Sequence, residues 1–247
     1  MRTRRFSFCP GVGLLGLALG LVPPMATRAM GLRSFVALPV DKGGVVARLQ
    51  WLHDEESDRN DGVLDLAYGW SANQTLLLGL PYRLSPRRGG RRRGDLGLLY
   101  RRILWRVDRP QGTTRVGVLA GLDLSGDREH EDAARFGVVA SGYRGRHEID
   151  ADLLWRQGFG ARDDGARYDL SWQYRLSPAQ YPEWGGTSEW NSVVELNGRW
   201  RGSGVFVHQA TLGLQWVHPR WVLEAAVYRD LNGLRETHLL LSGRWHF

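Results

Sequence analysis

Apolar and polar residues alternate with a period of two over most of the chain beyond residue 43. Successive side chains of a β-strand point to opposite faces, so this alternation predicts strands with one apolar and one polar face. Burying several acids on one face of a soluble core would be costly, so the polar face must line a wet or paired interior. The clearest case is 148–156, where charged positions alternate with Ile149, Ala151, Leu153 and Trp155.

Twelve segments of this kind are separated by clusters of Gly, Pro, Asn, Asp and Arg. A strand that crosses a bilayer needs about 9 to 11 residues, with apolar side chains toward lipid and polar ones toward the lumen. The pattern therefore predicts an all-β fold: a single antiparallel transmembrane β-barrel whose even strand number returns both termini to the periplasm. The predicted strands are 44–53, 62–72, 74–84, 94–106, 113–125, 135–144, 146–158, 166–177, 191–202, 205–217, 220–230 and 236–247.

The chain ends in the middle of its last strand, on an aromatic residue. Leu241, Trp245 and Phe247 share one face of this strand, while polar residues dominate the other. A terminal Phe on such a strand resembles the C-terminal signal of bacterial outer-membrane barrels. We therefore expect these three residues to act as the assembly signal for the barrel-assembly machinery. We also expect the protein to lie in the outer membrane of a Gram-negative bacterium.

The first 29 residues have the layout of a secretory signal peptide, with a basic start, an apolar stretch over 12–22 and small residues before the expected cleavage after Ala29. Cleavage after Ala26 and an uncleaved anchor are the alternatives, although the apolar stretch is shorter than the roughly 20 residues that span a bilayer. We expect a signal peptide at 1–29, an N-terminal periplasmic segment at 30–43 and the barrel at 44–247. The single cysteine, Cys9, leaves with the leader, which removes disulfide and thiolate chemistry.

The charge balance of the mature chain argues against a nucleic-acid partner. Removing residues 1–29 takes away four of the 33 basic residues and no acid, which leaves 29 basic against 26 acidic residues. Proteins that bind nucleic acid normally show a concentrated basic footprint. A weak basic excess spread over the chain does not fit that pattern.

Parity places charged side chains of both signs on the lumen faces of the strands. Eight strands make a barrel filled by side chains and sixteen or more leave an open channel, so twelve strands predict a narrow bore. Opposed charges are expected to pair across it, which keeps a plugged scaffold open as an alternative to a solute path. The main lumen-lining candidates are Asp150, Asp152, Arg156, Asp169, Glu195, Arg199, Glu224 and Arg244, and Arg48, Asp65, Arg101, Arg115, Asp123 and Arg175 share these faces.

Three features depart from a regular barrel. Arg101 and Arg102 are adjacent in a predicted strand, so one must face lipid unless a bulge intervenes. The connection 177–190 is long for a periplasmic turn. An outer loop carries five arginines, whose guanidinium forks could hold lipopolysaccharide phosphates or simply stay in solvent. These lipopolysaccharide-contact candidates are Arg87, Arg88, Arg91, Arg92 and Arg93.

The residues carry no recognisable catalytic, metal or cofactor motif. The strand histidines have no serine in a His-x-Ser context, so we expect no enzyme activity and no catalytic residue. The cluster 129–132 holds one histidine among acids and fits a charged surface loop better than a metal site. Gly89 and Gly90 lack the Lys-Ser/Thr pair of a phosphate loop, so no cofactor is expected.

Six short motifs follow one another along the mature chain. They are RSFVALPVDKGG at 33–44, LGLPY at 78–82, GDLGL at 94–98, AGLDLSGD at 120–127, YRLSPAQYP at 174–182 and RWVLEA at 220–225. In this order they resemble the MetA-pathway phenol-degradation family of outer-membrane proteins, over nearly the whole mature chain. The resemblance implies a passive channel for small hydrophobic or aromatic compounds, with lipid, lipopolysaccharide and a small apolar solute as partners. A non-transporting structural barrel and an outer-membrane lipid-modifying enzyme are the alternatives.

Overall fold

A computed structural model describes residues 31–85, 92–126, 131–178, 188–233 and 235–247. Among these, no helix is long and apolar enough to cross a membrane. Twelve antiparallel strands form one closed barrel. They are β1 (Val45–Asp54), β2 (Arg59–Ser71), β3 (Gln74–Ser85), β4 (Leu96–Arg109), β5 (Gly112–Leu124), β6 (Ala133–Arg144), β7 (His147–Gly158), β8 (Gly165–Arg175), β9 (Glu189–Arg201), β10 (Val207–His218), β11 (Trp221–Asp230) and β12 (Thr237–His246).

The predicted fold class is confirmed, and each strand end lies within three residues of its predicted position. Each strand pairs with its neighbours in sequence, and β12 pairs with β1 to close the barrel. The connections at the end that holds Val45 and Phe247 include the two-residue turns 72–73, 145–146 and 219–220. Short turns belong to the periplasmic side of such barrels, so this end is the periplasmic one. The expected signal peptide, 1–29, lies outside the described residues and stays a prediction.

The terminal Phe247 takes part in the closure of the barrel. Its amide donates to the carbonyl of Val45 at 2.9 Å, and the amide of Val45 donates to the carbonyl of Phe247 at 3.1 Å. Leu241, Trp245 and Phe247 are all exposed on the outer face. The three residues proposed as an assembly signal thus lie along the seam between the first and last strands.

The two faces of the strands differ as the alternation predicts. On β7, Leu153 is 54% exposed while the neighbouring Asp152 is 5% exposed. Aromatic rings stack on the outer surface near the strand ends, with Trp155 and Trp200 centred 5.6 Å apart at one end and Trp190 and Trp216 5.6 Å apart at the other. An apolar outer band bordered by aromatic residues is the surface that lipid and its interfaces require.

The adjacent arginines of β4 point to opposite faces without a bulge between them. Arg101 is buried inside the barrel, whereas Arg102 is exposed outside. Arg102 lies opposite Gln74, the first residue after a periplasmic turn, where a long side chain can reach the polar interface. The register shift comes later, between Ile103 and Trp105.

The long connection 177–190 does not disturb the strand order. The amide of Leu176 donates to the carbonyl of Trp190 at 2.8 Å, and the amide of Trp190 donates to Ser177 Oγ at 2.8 Å. These bonds hold the two ends of the connection together directly below β8 and β9. Residues 179–187 lie outside the described residues.

Candidate functional site

The chain before β1 lies inside the barrel rather than below it. We call residues 31–40 the lumen segment. The expectation that 30–43 is a periplasmic segment is therefore wrong for this part. The amides of Leu32 and Phe35 donate to Glu195 and Asp152 at 2.7 and 2.6 Å. Closer to the periplasm, those of Ala37 and Val40 donate to Ser141 Oγ and Thr75 Oγ1 at 2.7 and 3.3 Å.

The direction of the lumen segment follows from these partners. Thr75 is the second residue of β3, next to a periplasmic turn, whereas Glu195 lies in the middle of β9. The segment therefore rises from the periplasmic mouth to the centre of the bore. Leu32, Val36 and Ala37 are each at most 1% exposed to solvent.

Arginines satisfy the carbonyl groups of the same segment. The Arg101 guanidinium donates to the carbonyls of Val36 and Leu38, the latter at 2.8 Å. The Arg48 guanidinium donates to the carbonyl of Leu32 at 2.5 Å. Buried backbone groups need partners, and a lone extended segment has no neighbouring strand to supply them. Charged side chains of the wall supply them here, through hydrogen bonds stronger than neutral ones.

This arrangement corrects the expected closure of the bore by opposed charges. Asp152 and Glu195 accept hydrogen bonds from backbone amides of the lumen segment. The expected pairing does occur at Glu224, which binds Arg48 and Arg244 at 2.6 Å each, and at Asp123, which binds Arg135 at 2.8 Å. The bore is therefore occupied mainly by the chain itself.

The remaining predicted lumen residues have separate surroundings. Asp150 accepts hydrogen bonds from Ser141 Oγ at 2.5 Å and Gln173 Nε2 at 2.9 Å. Asp169 accepts one from Asn197 Nδ2 at 2.6 Å. Arg156 lies near the extracellular end of β7, with Nη2 3.5 Å from the Asp163 carbonyl. Arg199 is exposed to the lumen and forms no hydrogen bond or ion pair within the described residues.

Two arginines missing from the sequence-based list belong to the same lumen. Arg167 lies 3.6 Å from Asp152 and 3.4 Å from Asp169, and Arg135 pairs with Asp123 at 2.8 Å. Both occupy inward positions of their strands, so the alternation could have identified them. The lumen segment carried no such signal, because its contacts are made by backbone groups that every residue possesses.

Two cavities border the lumen segment. A cavity of about 570 Å³ opens near the periplasmic turns and reaches Leu38. A second, of about 350 Å³, extends along the segment toward the extracellular half of the barrel. Its apolar wall comes from β1 to β4 and β12 and includes Leu52, Val63, Leu77, Leu99 and Leu240.

The described part of the arginine-rich loop lies at the extracellular end of β3. Arg92 and Arg93 are exposed, and Arg93 forms an isolated bridge with Tyr82. Arg87, Arg88 and Arg91 lie outside the described residues. Lipopolysaccharide contact by this loop therefore stays a prediction.

One group of side chains has ligand atoms close enough to share a cation. Oxygen or nitrogen atoms of Asp230, Glu236 and His238 lie within 4.8 Å of one another at the extracellular ends of β11 and β12. Asp230 also accepts a 2.5 Å hydrogen bond from Gln209, and His238 stacks on Tyr228 with ring centres 4.5 Å apart. These contacts account for both residues without an ion.

Comparison with known proteins places the fold. No family model and no curated protein matches the chain. The COG4313 outer membrane channel from Pseudomonas putida F1 aligns with 90% of this chain and 100% of its own at 16% identity and a TM-score of 0.57. The NanC porin aligns over 81% of this chain and 98% of its own, at 12% identity and a TM-score of 0.55. The KdgM porin aligns over 82% of this chain and 99% of its own, at 10% identity and a TM-score of 0.53. The chain thus has the fold of outer-membrane β-barrels, as its sequence predicts.

Proposed function

We propose that this protein is a passive outer-membrane channel for small apolar or aromatic compounds, and that it belongs to the MetA-pathway phenol-degradation family. The observation that carries the proposal is the state of the lumen. Cavities of about 570 and 350 Å³ border a segment that is held by side chains rather than by strand pairing. The names of the three structural neighbours, one channel and two porins, agree with a transport role.

The second cavity suits an apolar solute. Water-filled outer-membrane barrels have polar interiors, whereas this cavity has leucines on its wall, among them Leu52, Leu77 and Leu240. An apolar molecule that covers such side chains removes them from water, which is favourable by about 25 cal/mol per Å² of apolar surface. The leucine side of the cavity therefore favours solutes with an apolar body over small inorganic ions.

Passage requires the lumen segment to move, and its attachment supplies a pivot. The segment joins β1 through 41–44, where Gly43 has a φ of +80° and donates its amide to the Gly69 carbonyl at 2.8 Å. Glycine adopts this conformation without the steric cost of a Cβ. Rotation about this turn would carry the lumen segment toward the periplasm and join the two cavities.

The outer surface supports the remaining partners that we propose. Exposed leucines such as Leu153 contact lipid, and the exposed Arg92 and Arg93 contact lipopolysaccharide phosphates at the extracellular rim. The barrel-assembly machinery recognises the exposed aromatic side chains of Trp245 and Phe247 at the seam between the first and last strands.

Uptake by reconstituted vesicles tests the channel. The protein purified from outer membranes would be inserted into vesicles with lipopolysaccharide in the outer leaflet, and entry of labelled benzyl alcohol would be measured beside single-channel current. Vesicles with the wild-type protein should take up more benzyl alcohol than protein-free vesicles. A variant that lacks residues 31–40 should show larger and longer current openings. Heat-modifiable migration would confirm that both proteins are folded. If neither folded protein passes solute, the channel proposal fails and the non-transporting barrel replaces it.

A further inference from the structure

Three arginines gather where the lumen segment meets the extracellular half of the bore. Arg167 on β8 and Arg199 on β9 are directly opposite each other in the strand register. Arg33, from the lumen segment, borders the same 350 Å³ cavity as these two. Like charges directly opposite in a sheet destabilise it. This cluster therefore carries an electrostatic cost that a bound anion would relieve.

The other arginines on this cavity are already engaged. Arg48 and Arg244 bind Glu224, Arg135 binds Asp123 at 2.8 Å, and Arg101 binds carbonyls of the lumen segment. The acid on the cavity wall, Asp65, accepts a 2.6 Å hydrogen bond from Gln50. Single nitrogens of Arg101, Arg135 and Arg244 also lack a hydrogen-bond partner, but other nitrogens of these side chains are bound. Arg33 and Arg199 form no ion pair within the described residues, and Arg167 lies opposite Arg199.

The three arginines differ in the contacts that their guanidinium groups make. Arg199 is open to the lumen and, within the described chain, has no hydrogen bond or ion pair. Arg33 lies 4.2 Å above the Tyr228 ring, and its Nη1 has no hydrogen-bond partner. Arg167 lies over the Phe35 ring at 4.5 Å, and its Nε and Nη2 have no hydrogen-bond partner.

Within the described residues, the nearby acids form ion pairs with only one member of this cluster, Arg167. The oxygens of Asp152 and Asp169 lie 3.6 and 3.4 Å from Arg167. Asp152 is hydrogen-bonded to the Phe35 amide, and Asp169 to Asn197. Glu195, the next acid on this wall, accepts hydrogen bonds from the amides of Leu32 and Arg33.

We propose that the cavity binds a small amphipathic carboxylate, whose carboxylate lies among Arg33, Arg167 and Arg199 and whose apolar body lies on the leucine wall. The inference rests on the proposed channel function and names the solute class. A guanidinium fork matches a carboxylate through two parallel hydrogen bonds. A neutral apolar solute leaves the repulsion between Arg167 and Arg199 in place, and an inorganic anion leaves the leucine wall exposed to water. The volume of about 350 Å³ falls in the range of small-molecule sites, about 300 to 1,000 Å³.

The site also joins the bound solute to the lumen segment. Arg33 belongs to that segment, whereas Arg167 and Arg199 belong to the wall. A carboxylate held by all three arginines therefore contacts both the lumen segment, which must move for passage, and the barrel wall, which stays in place. Loss of Arg199 should weaken binding without removing a hydrogen bond or ion pair, because Arg199 forms neither within the described residues.

Calorimetry on the full-length protein in detergent micelles tests the proposal, with three probes. These are 3-phenylpropionate, its neutral amide 3-phenylpropanamide, and acetate. We expect the acid to bind about tenfold or more tightly than the amide, as the loss of a charge-assisted hydrogen bond implies. Acetate, which lacks the apolar body, should bind more weakly than 3-phenylpropionate. Micelle-only titrations would correct for partition into detergent.

Two matched variants complete the experiment. Arg199→Gln should weaken 3-phenylpropionate binding about tenfold or more, whereas Arg220→Gln, at an exposed arginine of a periplasmic turn, should not change it. Equal affinity for acid and amide, or no effect of Arg199→Gln, would overturn the carboxylate site. Uptake separates this failure from that of the channel: vesicles that pass the acid and the amide at equal rates keep the channel and refute the site. Vesicles that pass neither refute the channel.

Discussion

The backbone amide of Phe35 donates a 2.6 Å hydrogen bond to the carboxylate of Asp152, in the middle of β7. Asp152 is an acid that the alternation assigns to the lumen, and Phe35 comes from a part of the chain outside the strands. Glu195 repeats this relationship with the amide of Leu32 at 2.7 Å. Acids in the wall thus act as anchors for the lumen segment, and removing them should free it.

Glu195→Ala should release the upper part of the lumen segment. The Glu195 carboxylate accepts hydrogen bonds from the amides of Leu32 and Arg33, and hydrogen bonds to charged groups contribute about 1.5 to 3 kcal/mol each. The mature chain expected after removal of 1–29 has no cysteine. A cysteine at position 34, beside Glu195, is therefore a unique probe, and its rate of labelling by a membrane-impermeant maleimide should rise about tenfold or more.

Asp169→Asn is the matched control for that experiment. Asp169 is equally buried on the neighbouring strand, but its hydrogen bond goes to Asn197 rather than to the lumen segment. Labelling at position 34 should stay slow in this variant. A labelling rate that Glu195→Ala leaves unchanged would contradict the anchoring role.

A disulfide between positions 37 and 141 should lock the channel. The Ala37 amide lies 2.7 Å from Ser141 Oγ, so cysteines at both positions come within the reach of a disulfide, whose Cα atoms are usually about 4.4 to 6.8 Å apart. The oxidised double variant should pass less benzyl alcohol than wild type, and reduction should restore uptake. Each single variant serves as the control. Unchanged uptake in the oxidised protein would mean that solute does not need the lumen segment to move.

Leu153→Arg should destabilise the barrel from its lipid face. Leu153 is 54% exposed near the middle of β7, and an arginine that faces lipid at the bilayer midplane costs about 2 to 4 kcal/mol. The control is Leu176→Arg, since Leu176 is also exposed but follows β8 at the periplasmic base, where the cost falls to about 0 to 1 kcal/mol. Denaturant unfolding in lipid vesicles measures both. Equal losses of stability would show that the depth or the face is misassigned.

Deleting Phe247 should impair closure of the barrel. Phe247 exchanges two backbone hydrogen bonds with Val45, at 2.9 and 3.1 Å, and its ring extends the exposed aromatic seam. Phe247→Ala keeps the backbone bonds and removes only the ring. The amount of heat-modifiable barrel in outer-membrane fractions should fall in the deletion and, to a smaller extent, in the alanine variant. A full yield from the deletion would argue against a role of the terminal residue in assembly.

The sequence by itself determined the barrel, its twelve strands and the face of most side chains. A period of two assigns every second residue of a strand to one face, so Asp150 and Asp152 were placed in the lumen and Leu153 in lipid without coordinates. The same reasoning put Arg199 inside. Strand number and direction followed from the length of each alternating segment and from the turn residues between them.

Only the tertiary structure decided what meets inside the bore. Parity states which face a side chain occupies, but not which residue lies across from it, and that depends on register and barrel closure. The register placed Arg199 opposite Arg167. The lumen segment entered the barrel through bonds from its amides and carbonyls, groups common to all residues apart from the missing amide hydrogen of proline, so no side-chain pattern marked its position. Two of the acids expected in the lumen, Asp152 and Glu195, bind that backbone, because it brings unsatisfied donors within reach.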